Sequence, residues 1–143
     1  MKFIILILLT TLLIFANSSG DKIKLKILQN ICMGIETSKN MKIWSDEDSV
    51  KDAFISLHKF EIVNDFKKAD LIILKNNFAS LDKYKNKHIF VLDYNLLNKI
   101  PNSFGALFWK KGRPNIVFIK SRLDKQKLYL SSELKPYIEE KIW

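Results

Sequence analysis

The sequence predicts one α/β domain: a sandwich of a mostly parallel central sheet with flanking helices and a C-terminal antiparallel hairpin. Three observations carry this expectation. Residues 69–74 (ADLIIL) and 88–92 (HIFVL) are short apolar runs of the kind buried on both sheet faces. Between residues 41 and 94 such runs alternate with helical periodicity, the order of a parallel sheet joined by crossover helices. Beyond residue 105, two β-rich runs are separated only by Lys110-Lys111-Gly112-Arg113-Pro114, a hairpin signal. A chain of 143 residues is about one domain's worth, and no linker or repeat divides it.

The elements follow in order. Residues 23–35 begin with strand-like alternation, but Leu25, Leu28, Cys32 and Ile35 recur at helical spacing, as do Ile23, Ile27 and Ile31. The longer pattern predicts a helix with a broad apolar face. Met41–Trp44 reads as a strand. Ser45-Asp46-Glu47-Asp48 offers capping oxygens and negative charge to a helix bearing Val50, Ala53, Phe54 and Leu57. Strands are expected at Glu61–Val63, Asp70–Leu74 and His88–Tyr94, with one helical turn at Ser80–Tyr84. Asp93 can cap the Leu96-Leu97 turn. Ala106–Trp109 and Asn115–Ile119 form the hairpin, with Gly112 supplying turn freedom and Pro114 fixing the re-entry. Ser121 or Ser131 is expected to cap terminal helical segments, with Leu134, Tyr137, Ile138 and Ile142 facing inward. Pro136 fits only the first turn of that last helix.

Residues 1–20 read as a signal peptide. Met1-Lys2 is a positive start, Phe3–Ala16 is an apolar run of fourteen residues, and Asn17–Gly20 is small and polar. The run is short for a spanning helix, which needs about 20 apolar residues. The mature domain is then residues 21–143, in a periplasmic location. Export argues against ATP- or NAD-dependent chemistry. The net charge of +9 comes mainly from lysines spread along the chain, with arginine only at 113 and 122. Nucleic-acid binders concentrate their basic residues and use more arginine, so this surplus does not predict nucleic-acid binding.

Few residues offer chemistry. The single cysteine, Cys32, is either a buried core residue or a thiol for redox sensing or an intermolecular disulfide. With two histidines, His58 and His88, the chain has no metal-ligand set, no phosphate loop and no nucleophile–base motif, so neither a cofactor nor an enzymatic activity is expected. Asp46, Glu47, Asp48 and Asp93 follow strands, where α/β proteins place ligands, but capping explains them as well. Phe108 and Trp109 fall on opposite faces of the hairpin: one is expected in the core, the other free for recognition.

The segment Phe104–Lys135, FGALFWKKGRPNIVFIKSRLDKQKLYLSSELK, resembles the closing signature of the YfiR/HmsC family of small exported bacterial α/β proteins. Gly105 matches its strand glycine, Arg113 its turn arginine and Phe118 its strand phenylalanine. Leu128, Leu130, Ser131, Ser132 and Leu134 match its Leu-Ser-Ser segment. Ser121 stands where the family usually has asparagine, and the stretch from Phe118 to the Leu-Ser-Ser segment is about two residues shorter. Paired cysteines, which tune some members, are absent. The resemblance implies a periplasmic regulator that binds the sensor region of a membrane-bound diguanylate cyclase and restrains it, lowering cyclic-di-GMP and so affecting biofilm formation. It makes Phe108, Trp109 and Arg113 the candidate partner contacts and leaves a homodimer open. The alternative is a small periplasmic solute-binding module with its site at the strand ends near Ser45 and Asp93.

Overall fold

The computed structural model describes residues 21–36, 40–55, 57, 59–76 and 86–142. The expected signal peptide, the turn at Ser80–Tyr84 and His58 lie outside the described residues. A helix, α1 (21–34), precedes β1 (Met41–Ser45), α2 (Asp48–Ile55), β2 (Phe60–Ile62), β3 (Leu71–Leu74) and β4 (His88–Val91). Then come α3 (Tyr94–Lys99), β5 (Ser103–Lys110), β6 (Arg113–Ile119), α4 (Lys120–Gln126) and β7 (Ile138–Glu139). The seven strands form one sheet in the order β2-β1-β3-β4-β5-β6-β7. The first five run parallel, β6 is antiparallel to β5, and β7 is parallel to β6. The α/β class and the hairpin are as the sequence predicts.

Both sheet faces are covered, which is why the strand sequences run apolar without alternation. Leu71 and Ile73 join α1 (Leu28, Ile31, Cys32) and α2 (Val50, Phe54) in one core cluster. Ile72 and Leu74 face the other way, into a second cluster with Leu96, Leu97 and Ile100 around α3. Phe90, Phe104 and Phe118 fill the first core, with ring centroids 5.7 to 6.3 Å apart. Gly105 stands opposite Phe118 in the hairpin register.

The structure corrects four local expectations. The strand at His88 ends at Val91, not Tyr94, because Asp93 accepts the Asn95 N–H at 2.9 Å and starts α3. Asp46 caps no helix. Its carboxylate accepts the Lys75 and Asn76 N–H groups at 2.8 and 2.9 Å, bracing the end of β3 against β1. Ser121 lies inside α4, whose first turn has no side-chain cap. The last helix is absent: Lys135–Tyr137 is one 3₁₀ turn, with Pro136 tolerated at its start, and Ile138-Glu139 pairs with β6. Tyr137 is therefore exposed, whereas Leu134 is buried. Ser131 contributes through its backbone, donating to Gly34 O at 2.8 Å.

Candidate functional site

The hairpin places the expected contact residues. Pairing of β5 with β4 stops at Ala106, and β6 pairs with β7 only at Phe118 and Ile119. From Leu107 to Ile116, the two hairpin strands thus pair only with each other among the described residues. The two-residue loop Lys111-Gly112 has positive φ at both positions, 52° and 74°. That is the primed turn, whose twist matches the strands it joins.

Phe108 turns toward the second core and meets the Tyr94 ring edge-on, with centroids 4.9 Å apart. Trp109 is on the other face and 43% exposed. Lys110, Lys111 and Arg113 are exposed at the tip and, with Asn115, edge a shallow depression of about 310 Å³. Among the described residues, no carboxylate forms an ion pair with these three cations. Phe108, Trp109 and Arg113 therefore have separate placements: an aromatic buttress at the base, an exposed aromatic face and a cationic tip. Such a tip can grip an acidic surface through charge, with Trp109 adding apolar contact area.

Most of the other residues expected in the closing motif pack in the core. A Cβ on Gly105 would lie 2.6 Å from Val117 O and 2.8 Å from Phe118 Cδ1, so glycine permits the close hairpin approach. Leu130 and Leu134 are buried, and Leu128 packs against the same core. Ser132 is exposed. Cys32 is 2% exposed, and burial pushes its thiol pKa up, which favours the core reading over the redox or intermolecular one.

The strand ends proposed for a solute are tied up internally. Besides Asp46, Ser45 donates to Ile73 O and accepts from the Glu47 N–H. Glu47 Oε1 lies 2.8 Å from Lys24 Nζ and 3.4 Å from Lys75 Nζ. Burial opposes its charge, but the hydrogen bond and charge of Lys24, with the charge of Lys75, hold its pKa below the usual value. No group of three or more His, Cys, Asp or Glu residues is placed to hold a metal ion among the described residues.

Sequence reasoning missed a cluster at the opposite end of the sheet. His88 Nδ1 is 2.9 Å from Gln126 Oε1, and Gln126 donates to Asn102 O at 2.8 Å. Arg122 Nη1 donates to Leu97 O and Ser103 O, both at 2.8 Å, and burial lowers its pKa. No local motif announces these contacts, because their partners lie 19 to 38 residues apart. The relay borders two cavities, of about 350 and 330 Å³, that share Asn86, Lys87 and His88 as a wall.

No family model matches the chain, and neither a curated protein nor a solved structure is similar to it.

Proposed function

We propose that this protein is an exported, periplasmic regulatory binding protein that restrains a membrane-bound sensor with diguanylate cyclase output through the sensor's periplasmic region. The observation that supports this reading is the projecting hairpin, with Trp109 exposed beside the cations Lys110, Lys111 and Arg113, which have no ion-pair partner among the described residues. The resemblance of the hairpin and the Leu-Ser-Ser segment to the YfiR/HmsC signature supplies the receptor class. Restraint follows when the tip binds the inactive receptor conformation more tightly than the active one. Charge complementarity steers the encounter with an acidic receptor face.

The test is cross-linking of a tagged copy in its native host, followed by identification of the membrane protein recovered. A receptor with a periplasmic sensor and a cyclase output supports the reading, provided that Arg113→Glu loses it while remaining folded. Recovery of no membrane protein, or equal recovery by Arg113→Glu, overturns it. A second reading, a small periplasmic solute-binding module, is favoured by the cavities beside His88.

A further inference from the structure

We propose that the cavity of about 330 Å³ between β4, the α3–β5 turn and α4 binds a small oxyanion, a carboxylate or phosphate, between His88, Arg122 and Lys125. The inference gives the solute-binding reading a place and a ligand class, and it is independent of partner docking at the hairpin. The volume falls within the range of metabolite sites, about 300–1,000 Å³.

Its lining carries three cations, Lys87, Arg122 and Lys125, together with His88 and three side-chain amides, and no carboxylate among the described residues. Two of the cations are held by carbonyl oxygens rather than by acids. Lys87 Nζ donates to Lys67 O at 2.6 Å and Ala69 O at 2.8 Å. Arg122 Nη1 donates to Leu97 O and Ser103 O, and to Ser103 Oγ at 3.1 Å. Carbonyl dipoles fix these side chains without neutralising them. A half-buried cation with no counter-charge among the described residues favours an incoming anion, and a fixed one loses little rotamer freedom on binding. Arg122 also carries donors on two further nitrogens, the planar fork that suits carboxylate and phosphate.

His88 is aimed by the relay. Gln126 spends its amide N–H on Asn102 O, so its Oε1 faces the His88 Nδ1 as an acceptor. With Nδ1 donating to Gln126, Nε2 meets an oxyanion only as the N–H of the imidazolium or through a protonated ligand oxygen. Exposed Lys125 stands at the rim. The adjoining cavity of about 350 Å³ is bordered by Glu36 and Asp70, which places the anion in the smaller one.

The test follows the His88 ring signals by NMR while inorganic phosphate and succinate are titrated separately, with sodium chloride at matched ionic strength as the control. The spectrum holds only two histidines, and His88→Gln assigns them. A saturable shift at His88 with either anion is expected, and the effective anion distinguishes a phosphate ligand from a carboxylate one. Lys125→Glu, on the exposed rim, should weaken that binding about tenfold or more without unfolding the domain. No saturable shift with either anion, a shift reproduced by chloride, or unchanged affinity in Lys125→Glu overturns the proposal. Hairpin docking is read separately, by cross-linking of Arg113→Glu.

Discussion

Gly105 and Phe118 face each other across the hairpin so closely that a methyl group on Gly105 would sit 2.8 Å from the Phe118 ring and 2.6 Å from the neighbouring Val117 carbonyl oxygen. The ring is fully buried among Phe90 and Phe104, and the carbonyl belongs to a paired strand, so neither can move aside.

Gly105→Ala should therefore destabilise the domain by about 1–3 kcal/mol through overpacking. Urea denaturation measures it. A loss near zero would mean that the strands separate without penalty.

The hairpin turn has the opposite character. A Cβ on Gly112 would meet nothing within 4 Å, yet its φ is 74°. Gly112→Ala should cost about 1–2 kcal/mol from backbone conformation alone. Lys111, at φ 52°, pays part of the same penalty, and Lys111→Asn should recover a few tenths of a kcal/mol. Thermal melts of the two variants should move in opposite directions.

Arg122→Lys should destabilise the domain by about 1–3 kcal/mol, because the lysine side chain is one bond shorter and its ammonium falls short of the Nη1 position that meets both the Leu97 and Ser103 carbonyls. An unchanged denaturation midpoint would remove Arg122 from the contacts that hold α3 to β5.

Glu47 makes stability depend on acid. Its pKa is below the ordinary 4.5, so its contribution is present above pH 4.5 and is lost as pH falls through the lower folded value. Melting temperatures measured below pH 4.5 should fall faster for the wild type than for Glu47→Gln. Parallel acid slopes would show that pairing with Lys24 and Lys75 adds nothing.

Cys32 should resist a maleimide in the native protein and react once urea exposes it, since burial holds the thiol protonated. Labelling of the folded chain at the rate of a free thiol would reverse that assignment.

The parallel sheet was legible because burial on both faces leaves an apolar signature over Leu71–Leu74 and His88–Val91, and the hairpin because Gly112 and Pro114 punctuate two β-rich runs. The opposite facing of Phe108 and Trp109 followed from strand periodicity alone. Other features were illegible for physical reasons. Leu134, Ile138 and Ile142 have helical spacing, yet Ile138 pairs with Phe118, a partner no local pattern reveals. Asp46 resembles a helix cap in sequence, but the unpaired N–H groups leaving β3 claim its carboxylate. The His88–Gln126–Asn102 relay is made of ordinary polar residues, and only the fold brings them together.

The two-residue primed turn also bears on the order of events in folding. Among the described strands, β5 and β6 are the only consecutive pair joined without a crossover. A hairpin of this kind closes in about 1–10 μs, whereas parallel pairs must wait for distant chain segments to meet. The hairpin is thus expected to nucleate the sheet, offering the free edge of β5 as a template for β4. Conservative truncations at Val117 should then slow refolding, whereas those at Ile43 should chiefly speed unfolding.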